Sequence, residues 1–120
     1  MDTRLFGIQQ CDQVRAARRW LDTRGLSYAF IDFKKQAPTE ELLQEWLKHL
    51  PFDSLLNKRG RTWRMLAEDQ RRQIIDQPSA LELMLSQPLV IKRPVLVTHD
   101  DQLAVGFSDS LYASLFPPSN

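Results

Sequence analysis

The chain carries one cysteine, four glycines and two histidines in 120 residues, and each shortage closes off a class of chemistry. One cysteine cannot form an internal disulfide or run a dithiol cycle, and three residues after Cys11 stands Val14 rather than a second thiol. Two isolated histidines, His49 and His99, with that one cysteine do not make a metal site and read as surface residues. No glycine-rich phosphate loop or dinucleotide fingerprint is present. Long apolar runs are missing too. The strongest, Leu89-Val90-Ile91 and Val95-Leu96-Val97, is interrupted by Lys92-Arg93 and falls short of the ~20 residues that a bilayer demands. The opening Met1-Asp2-Thr3-Arg4 lacks the apolar core of a secretory signal. Together with the single thiol, this leads us to expect a cytoplasmic protein with no membrane partner. A formal net charge of +1 gives no general pull toward nucleic acid.

What is present is ordinary in bulk and informative in order. A hydrophobic fraction of 42% and a charged fraction of 26% suit one globular domain across 1–120, with a core that needs no staples. A strand is expected over 3–8, a turn at Gln9-Gln10-Cys11, and an amphipathic helix over 12–24, stopped by Gly25. Val14, Ala17, Trp20 and Leu21 mark its inner face, and Asp12 is a candidate N-cap. Alternation over 28–33 predicts a second strand, and strand–helix–strand at this spacing implies a parallel crossover. A helix from Pro38 to Leu50 follows, with Leu42, Leu43, Trp46, Leu47 and Leu50 expected as its buried stripe. The pattern stays helical but broken to about 87, with a basic loop over 58–64, a helical stretch over 65–75 and a helix over 79–86. Strands are expected at 89–91, 94–98 and 103–107, with a hairpin turn at 99–102. Ser108 or Asp109 then caps a closing helix. The reading is an α/β chain of order βαβ, several helices, then ββα.

Cys11 is the residue with most chemical promise. It sits where a strand turns into a helix, beside the unsatisfied N–H groups of the first helical turn, which favour thiolate over thiol. An ordinary thiol is only about 3% ionised at neutral pH, and a helix end alone contributes less than one pKa unit. Further help is needed. Arg15 lies one turn beyond the thiol, and a distant arginine folded onto the same turn would add more. A phosphatase-type loop would need arginine six residues after the cysteine, where Ala17 stands. The run Lys58, Arg59, Arg61, Arg64, Arg71 and Arg72, opposed by Glu68 and Asp69, is locally basic around Trp63 and reads foremost as a solvated helical face. Beside it, Asn57, Lys58 and Arg59 are candidates to border the Cys11 thiol and attract the two carboxylates of an external thiol such as glutathione.

These segments resemble a known family. Leu5-Phe6-Gly7-Ile8, Cys11-Asp12, Ala17-Arg18-Arg19-Trp20-Leu21, Leu55-Leu56-Asn57-Lys58-Arg59-Gly60, Thr62-Trp63-Arg64, Ile91-Lys92-Arg93-Pro94 and Gly106-Phe107-Ser108-Asp109 are together similar to the ArsC/Spx family of arsenate-reductase-like proteins, nearest its YffB-type branch. The resemblance implies a thioredoxin-like fold with a mixed four-stranded sheet and an all-helical insertion at about 39–87. It implies that Cys11 is the nucleophile and that Arg93-Pro94 is a cis peptide bringing a guanidinium toward it. Substrate contacts are expected from Gln10, Asp12, Arg15, Asn57, Lys58, Arg59 and Pro94. The implied activity is thiol or disulfide reduction with glutathione as co-substrate, no bound cofactor or metal, and a small-molecule or protein thiol as substrate; the sequence leaves the oligomeric state open, with a monomer favoured. The alternative is a non-enzymatic Spx-like adaptor for a protein partner. Arsenate reductases of this type carry further arginines where this chain has Asn57 and Gly106-Phe107, so the arsenate substrate does not carry over.

Overall fold

A computed structural model describes residues 2–118 and divides the chain into two compact units. One comprises Met1–Lys35 with Arg93–Asn120, and the other Gln36–Lys92. In the first, or sheet unit, β1 (Arg4–Gly7) leads through α1 (Asp12–Thr23) to β2 (Ala29–Asp32), and later β3 (Val95–Val97), β4 (Leu103–Val105) and α7 (Asp109–Leu115) complete it. The strand order is β2-β1-β3-β4. β1 and β2 are parallel, with Gly7 opposite Asp32, as the crossover demands. β3 runs antiparallel to β1, pairing Phe6 with Val95, and β4 antiparallel to β3, pairing Val95 with Val105. This is the mixed four-stranded sheet that the sequence leads one to expect.

The inner face of α1 packs as its periodicity requires. Val14, Ala17, Trp20 and Leu21 are buried, and Ala17, Trp20 and Leu21 join Leu5, Leu96, Ala104 and Tyr112 in one apolar cluster. Trp20 meets the Tyr112 ring edge-on at 5.6 Å between centroids. Burial pushes the Tyr112 phenol well above its usual range, because no water is there to solvate a phenolate. At Gly7 the strand passes so close under α1 that a Cβ would lie 2.5 Å from Val14 Cγ2. Only glycine fits.

The helical unit contains α2 (Glu40–Leu47), the short helices α3 (Phe52–Leu55), α4 (Arg61–Arg64) and α5 (Glu68–Arg72), and α6 (Gln77–Ser86). Leu43, Trp46, Leu47, Leu55, Leu56, Ala80, Leu83 and Met84 form its buried interior with Val90 and Ile91. Three expectations are corrected here. The segment 89–91 is not a strand: Pro88–Val90 is a 3-10 turn, and only Ile91 bridges, to Leu56. The Val90 and Ile91 N–H groups bond three residues back, to Gln87 and Pro88, so β-branched composition lost to a proline-started turn. The basic loop over 58–64 contains α4, started at Gly60, and Leu66-Ala67 break the helical stretch expected over 65–75. α6 begins at Gln77 rather than Ser79, because Asp76 is the N-cap and accepts the Ser79 N–H at 3.0 Å.

Two outcomes follow from these packing and capping features. Gly7→Ala should cost about 1–3 kcal/mol in urea unfolding, and distinctly less in a Val14→Ala background, where room for the methyl exists. At Asp76, bonds from the Ser79 hydroxyl and then its N–H hold the carboxyl below its ordinary 3.8. A lowered folded-state value gives stability that is complete above the unfolded-state value and disappears as pH falls through the folded one. The difference in urea midpoint between the native chain and Asp76→Asn should therefore be present near neutral pH and close below about pH 3–4.

Candidate active site

The sheet register gathers the candidate chemistry at one end of the sheet unit. β1 leaves the sheet at Gly7-Ile8 and enters the Cys11 turn, and the antiparallel β3 starts at that same end, directly after Arg93-Pro94. β4 finishes there, running into Gly106-Phe107-Ser108, and β2 ends there at Asp32. Four chain segments distant in sequence thus converge around the start of α1.

Cys11 itself, and not Asp12, is the N-cap of α1. Its backbone is extended (φ −90°, ψ 126°), its carbonyl accepts the Arg15 N–H at 3.0 Å, and its own N–H closes the turn onto the Ile8 carbonyl at 3.3 Å. The thiol makes no capping hydrogen bond and is half-buried, so solvent reaches it. An N-cap side chain stands beside the orphan N–H groups of the first turn, where negative charge is favoured.

Arg15 proves to be a brace of the turn. Its Nε donates to the Gln9 carbonyl at 3.0 Å and one terminal nitrogen lies 3.4 Å from Asp12 Oδ1. Those bonds tie together the residues on either side of Cys11, leaving Asp12 almost wholly exposed and Gln10 exposed in the turn. The Arg93-Pro94 peptide is cis, as the resemblance implies, and the buried Pro94 accepts the Gly106 N–H at 2.8 Å. Arg93 is half-buried. Gly106 adopts φ +82°, a left-handed conformation that favours glycine.

Gln13 is a residue that the sequence reading overlooked. Its Oε1 accepts the Phe107 N–H at 3.3 Å, joining the first turn of α1 to the loop after β4 across 94 residues. A glutamine on the exposed side of a helix start carries no signal of this kind; only its place two residues after the cysteine could have drawn notice.

Asn57, Lys58 and Arg59 lie in the helical unit, around a cavity of about 520 Å³ also lined by Asp53, Leu56 and Lys92. Asn57 Oδ1 is already engaged by the Arg59 N–H at 3.2 Å, an Asx turn that shapes the loop. Lys58 is paired to Asp53 at 3.0 Å and lies 5.6 Å from the Trp63 ring centroid. Among the described residues, the Arg59 and Lys92 side chains pair with no acid, so the cavity keeps a positive excess. No cluster of three potential metal ligands occurs among the described residues, and both histidines are exposed. No helix among them is long and apolar enough to cross a membrane.

A family model described as the ArsC family matches residues 6–115. The chain belongs to the ArsC family. A relative from Haemophilus influenzae, described only as an uncharacterized protein, is 30% identical over 112 residues, covering 93% of this chain and 96% of that one. Among solved structures, a protein named YFFB (PA3664) matches at TM-score 0.86 and 39% identity, over 93% of this chain and 96% of its own. An arsenate reductase (ArsC) related protein from Brucella melitensis matches at TM-score 0.74 and 42% identity, over 98% of this chain and 97% of its own. The sheet unit therefore carries the mixed four-stranded α/β architecture of the ArsC family, with the cysteine turn and cis-proline at one sheet end.

The Gln13 bond is open to direct measurement. Gln13→Leu removes the acceptor, and hydrogen exchange at the Phe107 amide should accelerate about fivefold, the effect of one net hydrogen bond near 1 kcal/mol. An unchanged Phe107 rate would mean the bond contributes nothing in solution.

Proposed function

We propose that this ArsC-family protein is a glutathione-dependent thiol reductase acting through Cys11. The observation that carries the reading is the solvent-reached thiol at the N-cap of α1, on the sheet end where Arg93-Pro94 also lies. The Cys11 thiolate attacks one sulfur of a substrate disulfide, forming a mixed disulfide and releasing the other sulfur as a thiolate. A first glutathione thiolate attacks the Cys11 sulfur, releasing the second substrate thiol and leaving Cys11 joined to glutathione. A second glutathione displaces Cys11 and leaves as oxidised glutathione. The balance is one disulfide reduced to two thiols and two glutathione molecules oxidised to one disulfide.

The lone cysteine makes the external thiol necessary, because no second thiol in the chain can resolve the intermediate. Arg93 supplies a permanent charge for an anionic sulfur or substrate. The positive cavity around Arg59 and Lys92 suits a molecule with two carboxylates, such as glutathione, by charge. Arsenate is a poor fit as substrate, since Asn57 and Gly106 stand where further guanidinium groups would be needed. No observation favours a non-enzymatic adaptor over this chemistry.

Oxidised glutathione should add one glutathionyl group per chain, at Cys11, visible by mass spectrometry and reversed by reduced glutathione. Cys11→Ser should take no label and lose all glutathione-dependent reduction of a model mixed disulfide. A Cys11 left unmodified under these conditions contradicts the reading.

A further inference from the structure

A second cavity of about 680 Å³ lies in the sheet unit, at the opposite end of α1 from Cys11, and nothing in the thiol chemistry uses it. Its walls include Trp20, Arg24, Leu26, His99, Phe116 and Pro117. These residues come from the far end of α1, the turn after β3 and the chain beyond α7. The volume falls within the range of small-molecule sites, ~300–1,000 Å³, and the walls are largely apolar. A neighbouring cavity shares Leu26, His99 and Phe116 and continues past Thr3 and Tyr28 to Asp2.

Arg24 is the one fixed charge among the described residues that line the larger cavity. Arg24 stacks on the Trp20 ring, with Cζ 3.8 Å from the centroid, and the Trp20 and Phe116 rings lie 6.0 Å apart. One of the five guanidinium N–H donors reaches the Trp20 carbonyl at 3.4 Å, closing the C-terminus of α1. Among the described residues, Arg24 pairs with no carboxylate, and no acidic residue lines this cavity. His99 adds a second nitrogen-bearing ring at the rim, beside Asp100. The indole N–H of Trp20, a residue only 6% exposed, is buried with no acceptor among the described residues. Among the described residues that line the cavity, Arg24 thus carries the one fixed charge, set against aromatic and proline surface.

We propose that this cavity binds a small organic carboxylate with a flat apolar body, its anionic group on Arg24 and its body between Phe116 and the Trp20–Leu26 wall. The stacked guanidinium is held flat by the indole, so less freedom is lost when its remaining donors grip a carboxylate. An inorganic anion would leave the apolar walls unused, and a neutral aromatic would leave Arg24 without its partner. The site is independent of Cys11.

The test uses 1-naphthoate and its neutral counterpart 1-naphthalenemethanol, titrated into isotope-labelled full-length protein and followed by amide chemical shifts. Naphthoate should saturate below about 5 mM, with shifts centred on Leu26, His99, Ala113 and Phe116. It should bind about fivefold more tightly than the alcohol, the scale of one exposed charge pair. Arg24→Gln should abolish that preference while leaving alcohol binding within about twofold, which separates loss of the charge from loss of the fold. Arg24→Lys keeps the charge without the flat fork and should retain part of the preference. Absence of saturation, shifts centred elsewhere, or equal weakening of both probes in Arg24→Gln would each overturn the assignment.

Discussion

The antiparallel pairing of Phe6 with Val95 is the constraint on which the sheet unit's chemistry depends. It makes the end of β1 and the beginning of β3 coincide, so Cys11 and Pro94 lie at the same end of the sheet. Leu5 and Leu96, paired in this register, are both fully buried, so the pairing lies inside the core. Gly7 serves the same end, since any larger residue would push α1 and its N-cap away from the strand. Fold stability and the placement of the thiol are thus one problem solved by the same residues.

Around that pairing, the turn is held by ordinary bonds rather than by charge directed at sulfur. Arg15 braces Gln9 and Asp12, Gln13 fastens the α1 start to Phe107, and Pro94 accepts from Gly106. The Cys11 side chain makes no capping hydrogen bond there. A nucleophile benefits from that arrangement: its frame is rigid while its own atom stays available.

Much of the sheet unit was legible in the chain. Val14, Ala17 and Leu21 recur at helical spacing on a buried face, and the short crossover to 29–32 admits only parallel pairing. The helical unit was harder, because its helices α3 to α5 have four or five residues each, too short for periodicity to speak. At 89–91 a local proline turn overrode β-branched composition, which no count of apolar residues anticipates. Within the candidate site, the residues proposed to act chemically, Cys11 and Arg93-Pro94, stood out by type and by motif. Residues whose role is geometric did not. Gln13 acts through a bond spanning 94 residues, and Arg15, expected beside the thiol, is held by backbone and carboxylate oxygens visible only once the turn is folded.

The central claim is that Cys11 is a usable nucleophile because of where the fold puts it and what lies on the same sheet end. The most direct test is the rate of Cys11 alkylation by iodoacetamide at neutral pH, compared between the native protein, Arg93→Ala and the urea-unfolded chain. The account predicts that the folded protein reacts faster than the unfolded one and that Arg93→Ala removes a large part of the advantage. A folded thiol that reacts no faster than the unfolded one, with or without Arg93, would contradict it.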